Sequence, residues 1–289
     1  HRKNISPTTQ DGYRYTLRRL KVQFGECPLS SIKPLEIEDF LLSLHEQKLS
    51  DSYISKCRAM LGQIFSTAEA NDYIIQNPMR SIEKLQHSGN AKEKPSFSLE
   101  EAKRIMQHLP QNRVGWGIRL LLGTGMRTQE LLALEAKHIA EDGSAIHIEQ
   151  AINMVGGKVT VGCPKTRSSY REISVPLNLQ QYAIALRNLN FNGFIWETWK
   201  TGAPCNPSYF CKHFKRELAE IPDVRTLTPH CCRHTYVSQL HAMGVDLLSI
   251  QSLVGHTGLR TTQHYLHVQS NVKQRAVETY HHLEIKFNR

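Results

Sequence analysis

The sequence predicts a mainly α-helical protein with a small antiparallel β-sheet, divided into an all-helical N-terminal part and a longer mixed part. Three observations carry this expectation. Apolar residues recur near helical spacing through most of the first 85 residues and again from 98 to about 135. Between about 144 and 176 the apolar period falls to two, the period of strands. Between the two helical stretches lies HSGNAKEKPSF, residues 87–97, which is polar, contains Gly and Pro, and has no apolar period.

The elements follow in order. SPTTQDGYRYTLRRLKVQFG opens with a capping serine and a proline and stops at Gly25. In KPLEIEDFLLSLHEQK, Leu35, Ile37, Phe40, Leu41 and Leu44 run close to one helical face. DSYISKCRAMLGQIFSTAEAND starts at an Asp or Ser cap and ends at Asn-Asp, and Asn77-Pro78 opens a short further helix through Leu85. Three or four helices without strands predict a small bundle over residues 1–86, a linker over 87–97 and a second domain over 98–289. Ser98-Leu-Glu-Glu101 has capping-box spacing and starts that second domain. SAIHIEQ, KVTVG and REISV read as short strands. The last two flank the basic loop CPKTRSSY, which predicts a hairpin with an exposed tip. Helices are expected again at roughly 178–188, 207–219, 229–243, 246–254, 258–264 and 270–283.

Composition narrows the function. The net charge is +10, and eight of those excess charges fall in residues 91–289, which favours a polyanionic partner. No basic helix with a bulky apolar face stands out, and no apolar run is long enough to span a bilayer, so no membrane partner is expected. The seven cysteines are odd in number and scattered, which fits a reducing cytoplasm rather than a disulfide framework. HCCRH, residues 230–234, invites a metal reading, but no second pair at finger spacing completes it, so neither metal nor cofactor is expected. The chain begins at His1 rather than Met, which suggests a fragment boundary.

Four places in the second domain concentrate chemistry beside turns or helix starts. In TGMRTQELLAL, Arg127 follows a glycine turn and opens an apolar helix, where its fork can hold two phosphodiester oxygens or simply pair with Glu130. Lys165, in the polar basic loop, is either solvated or a proton donor beside a phosphate. In TPHCCRHT, His230 and Arg233 are three apart on a helix, a spacing that suits anion binding with proton transfer or an ordinary structural histidine. In GHTGLRTTQHYLH, His256 follows Gly255 at the end of a helix, and Tyr265 comes nine residues later. A phenol titrates near pH 10, so as a nucleophile it needs a base and a cationic field.

In this order the four stretches resemble the tyrosine recombinase (phage integrase) family, and most of all integrases of mobile elements such as conjugative transposons. TGMRTQELLAL matches its first-arginine motif, and KTRSSYREISVPL its lysine segment, including Arg171. TPHCCRHTYVSQLHAMGVD matches its His-x-x-Arg-His-Thr helix, and LVGHTGLRTTQHYLHV its Gly-His…Tyr ending. Cys231-Cys232, Val254 and Gln129 depart from the commoner residues without removing a chemical group.

The resemblance implies a helical core-binding domain and a catalytic domain that clamp duplex DNA and exchange strands without metal or ATP. Tyr265 would be the nucleophile, forming a 3′-phosphotyrosyl link. Arg127 and Arg233 would hold the phosphate, His256 would hydrogen-bond it, Lys165 would protonate the leaving oxygen, and His230 would take the tyrosine proton. Glu130 would orient its neighbours. Tyr236, a rival tyrosine, falls where the family packs an aromatic, and Tyr280 falls beyond the motif. Also implied are specific double-stranded DNA sites, a homo-tetramer on paired sites, accessory DNA-bending or excision factors and a bacterial cytoplasmic setting; integrases of the family often carry an arm-binding domain ahead of the core-binding one. The alternatives are a chromosome-dimer-resolving recombinase, a type IB topoisomerase or a non-catalytic DNA-binding protein of the same fold.

Overall fold

The structure is a computed structural model and describes residues 5–83, 95–162, 170–189, 193–198 and 202–255. The chain divides into two compact units, His1–Glu93 and Lys94–Arg289.

Among its described residues the first unit holds three α-helices: α1 (Pro7–Phe24), α2 (Pro34–Glu46) and α3 (Asp51–Ala70). Ser6 and Ser50 cap α1 and α3, each hydroxyl accepting from the amide three residues on at 3.3 Å. The buried face of α2 is Ile37, Phe40, Leu41 and Leu44, which meets Leu20 of α1 and Ile54, Leu61 and Phe65 of α3 in one core. Leu35, assigned to that face by spacing, is exposed instead. The short helix expected from Asn77 is only a 3₁₀ turn, Pro78–Arg80. There the Asn77 side chain accepts from the Met79 amide at 2.9 Å and donates to Ser66 at 3.0 Å.

In the second unit the helical stretch from 98 to 135 is three helices: α4 (Leu99–His108), α5 (Arg113–Thr124) and α6 (Thr128–Leu131). Leu109-Pro110 breaks the first junction, because the residue before a proline is pushed out of helical geometry. Gly125, left-handed at φ +64°, breaks the second. The capping box at the start of α4 is present: Glu101 N donates to Ser98 Oγ at 3.1 Å and Ser98 N to Glu101 Oε2 at 2.7 Å. Helix α5 is the axis of the unit. Its Ile118, Leu120, Leu121 and Leu122 are all buried, and Arg119 is buried with them. The Arg119 guanidinium donates to the carbonyls of Met106, Leu109 and Pro110, which satisfies the open C-terminal end of α4.

Among the described residues the strands form two two-stranded sheets. β1 (Ala145–Ile148) pairs antiparallel with β4 (Arg171–Ser174), and β2 (Ala151–Val155) with β3 (Lys158–Gly162). This corrects the expected hairpin between 158–162 and 171–175. The partner of β3 is β2, because Gly156 and Gly157 at φ +56° and +77° make the two-residue turn that a tight hairpin needs. The remaining described helices are α7 (Leu177–Arg187), α8 (Pro207–Ala219), α9 (His230–Ala242) and α10 (Leu247–Val254). They match the expected spans to within a residue or so. The helices expected at 258–264 and 270–283 lie outside the described residues.

α5 packs against α7, α8 and α9, and α10 packs on α9. Thr235 of α9 ties the start of the unit to this stack, accepting from Phe97 N at 2.8 Å and donating to Cys231 O at 2.8 Å. Among the described residues no helix is long and apolar enough to cross a membrane.

Candidate active site

Two helix ends meet at the site, and both end in glycine. α5 stops at Gly125 and α10 at Gly255, at φ +64° and +66°. Gly125 is required twice over, since a Cβ there would also lie 2.4 Å from the Tyr236 ring. A helix C-terminus leaves carbonyls without intrahelical donors and carries partial negative charge, so cations are drawn to it. The arginines supply them. Arg233, in the first turn of α9 and 2% exposed, donates from Nη1 to Gly125 O at 2.8 Å and from Nη2 to Val254 O at 2.6 Å. Arg127 donates from Nη2 to Gly255 O at 3.0 Å. Residues more than a hundred positions apart thus bring two guanidinium groups to one junction.

Glu130 organises the other side. Arg127 is the N-cap residue of α6, and its amide donates to Glu130 Oε2 at 2.7 Å while its Nη1 donates to Oε1 at 2.7 Å. Arg171, at the head of β4, donates from Nη1 to Oε1 at 3.0 Å and from Nη2 to Oε2 at 2.9 Å. The side chains of Glu130, Arg171 and Arg127 are 2%, 8% and 31% exposed. Burial by itself would raise the Glu130 pKa. The hydrogen bond and charge of Arg171, with the charge of Arg127, outweigh it and hold the carboxyl below its ordinary value. Two arginines on one carboxylate, with Arg233 at the adjoining helix ends, leave the site cationic. A two-pronged fork is the arrangement suited to two oxygens of a phosphate.

His230 is the first residue of α9 and is exposed, whereas Arg233 three residues later is buried. Its ring stands edge-on to the buried His234, centroids 4.6 Å apart. Tyr236 packs against Gly125 beside Val237, Ile250 and Val254, and burial raises its pKa, which opposes phenolate formation. Cys231 and Cys232 are buried, and burial pushes the Cys232 thiol up. Among the described residues no three His, Cys, Asp or Glu side chains group to hold a metal ion. Lys165, His256 and Tyr265 lie outside the described residues.

Sequence reasoning assigned no role to Arg171. Its signal was there in the strand period: in Arg171-Glu172-Ile173-Ser174 the arginine shares a face with the buried Ile173. An inward-facing arginine needs acceptors for its buried N–H groups, either backbone carbonyls or a carboxylate.

Comparison with known proteins gives the family and the fold. Residues 96–271 match the phage integrase family model, and residues 1–75 match the phage integrase N-terminal SAM-like domain. A tyrosine recombinase XerC-like protein of Caldanaerobacter subterraneus subsp. tengcongensis is 29% identical over 289 residues, covering 89% of this chain and 73% of the relative. The ICEBs1 integrase of Bacillus subtilis is 24% identical over 271 residues, covering 89% of this chain and 72% of the relative. In fold, the chain is similar to the Tn1549 transposon integrase solved with a circular intermediate DNA. The TM-score is 0.83 at 22% identity, over 97% of this chain and 96% of that one. With its integrase-type domains and its clustered arginines, the chain belongs to the phage integrase family and is a tyrosine recombinase.

Proposed function

We propose that this chain cleaves and rejoins duplex DNA at specific sites through a 3′-phosphotyrosyl link, and that it integrates and excises a mobile element. The observation that carries the reading is the meeting of Arg127 and Arg233 at the paired helix ends of Gly125 and Gly255. The chain runs directly from that junction into His256 and on to Tyr265. Arginine has five N–H donors, so bonds to one or two carbonyls do not exhaust a guanidinium.

In the proposed reaction the Tyr265 oxygen attacks the scissile phosphorus and the phenolic proton passes to His230. The bond to the 5′-oxygen breaks, and Lys165 protonates that oxygen. Arg127 and Arg233 hold the non-bridging oxygens, stabilising charge that builds in the transition state, and His256 hydrogen-bonds the phosphate. Resealing is the reverse, with a 5′-hydroxyl from the partner strand. Glu130 orients Arg127. The proposal includes the division into a DNA-binding bundle at 1–86, a linker at 87–97 and a catalytic domain at 98–289. It also includes a tetramer on paired sites, helped by accessory bending or excision factors. The likeness to transposon and ICEBs1 integrases supports the mobile-element role. The XerC-like relative makes a resolving recombinase the second reading.

The test is covalent trapping on a nicked duplex carrying the element's end, where the short 5′-hydroxyl fragment diffuses away. A metal-independent adduct on a denaturing gel, lost in Tyr265→Phe while DNA binding persists, is the expected result. DNA binding without an adduct on element-end and resolution-type sites alike would overturn the reading in favour of a non-catalytic DNA-binding protein.

A further inference from the structure

We infer that Arg171 is a positioning residue of strand cleavage: it neutralises Glu130 and so leaves the charge and the aim of Arg127 to the scissile phosphate. The inference rests on the role proposed above for Arg127.

Glu130 accepts from two arginines, which between them place four N–H groups on its two oxygens at 2.7–3.0 Å. The arginines are unequal. Arg171 is buried and lies on the carboxylate with both prongs, while Arg127 gives one prong to Glu130, one to Gly255 O, and is partly exposed. One carboxylate charge held by two guanidinium charges leaves a net cation, and the accessible member of the trio is Arg127. Without Arg171 a carboxylate 2% exposed would face Arg127 alone. The attraction between such close charges in a poorly solvated site would draw the second prong of Arg127 off Gly255 and onto Glu130. Both the field at the phosphate and the angle of the fork would be lost.

Arg171 also begins β4, six residues after Lys165 in sequence. Its bond to Glu130 therefore fastens the strand that follows the Lys165 segment to the helix capped by Arg127.

The experiment is single-turnover cleavage of the nicked duplex at saturating protein, with DNA affinity and urea unfolding measured on the same samples. Arg171→Ala is expected to cleave about 10²-fold slower, the loss typical of a misaimed catalytic group, with affinity within about threefold. Arg171→Lys restores the charge but only one prong, and is expected to recover roughly tenfold of that loss. In an Arg127→Lys background, adding Arg171→Ala is expected to slow cleavage by less than about threefold, because residues acting through one another are not additive. A destabilised but independent Arg171 would multiply the two losses instead, and that result overturns the inference. So does an Arg171→Ala rate within about threefold of the unmodified protein. Should Arg171→Ala fail to fold, Arg171→Lys carries the same comparison in both backgrounds. If the unmodified protein forms no Tyr265-dependent adduct, the functional reading falls and the inference falls with it.

Discussion

Glu130→Gln keeps the shape of the side chain and removes its charge, which makes it the sharpest probe of the buried cluster. The carboxylate accepts two bonds from Arg127 and two from Arg171. An amide offers one oxygen, so part of this set would face an NH₂ group that can only donate. Breaking a buried ion pair costs about 3–5 kcal/mol, because the surviving charge is left uncompensated. Arg171, 8% exposed, bears that cost almost fully, while Arg127 at 31% can recover some solvation, so the lower end, about 3 kcal/mol, is expected.

All three tryptophans, Trp116, Trp196 and Trp199, lie in the second unit, so fluorescence-detected urea unfolding reports on that unit alone. The companion measurement is a double-mutant cycle with Arg171→Met, for which a coupling of about 2 kcal/mol is expected. Because the Glu130 pKa is depressed, the stabilisation is present above the ordinary carboxylate range and is lost as pH falls. The Gln deficit should therefore shrink in acid. A cost below about 1 kcal/mol at pH 7, or a cycle additive within about 0.5 kcal/mol, would refute the argument that this cluster is an electrostatic unit.

Other outcomes follow from the same structure. Glu101, bonded by Arg225 and capping α4, has its pKa lowered from 4.5 to about 2. That gap sets a ceiling of roughly 3 kcal/mol, which the 55% exposed Arg225 side chain screens to about 1–2 kcal/mol. It is present above pH 4.5 and fades as pH falls toward 2, so the stability gap between wild type and Glu101→Gln should narrow by more than half at pH 3. Gly125→Ala meets both a left-handed backbone and the Tyr236 ring, and is expected to cost about 2–4 kcal/mol in urea unfolding. Thr235→Val leaves Phe97 N without its acceptor and should cost about 1–3 kcal/mol, seen as a lower urea midpoint with unchanged slope. DNA affinity should fall steeply with salt, each phosphate contact adding about 0.9 to the slope of log K against log salt.

What the sequence determined by itself was local. The Ser98–Glu101 box, the proline-led starts of α1 and α8, and the Gly255 stop of α10 all depend on groups within four residues of one another. Arg127 was likewise placed at the mouth of α6 because a glycine turn precedes it, and its pairing with Glu130 is an i, i+3 contact. The strand partners were misassigned although Gly156-Gly157 marked the true turn, because the loop carrying Lys165 offered a competing hairpin. Only the tertiary structure decided that Arg171 reaches Glu130 across 41 positions and that Arg233 reaches Gly125 across 108. Local patterns encode how a helix begins and ends. Which distant cation satisfies its open carbonyls depends on how α5, α9 and α10 pack, and that is a property of the assembled core.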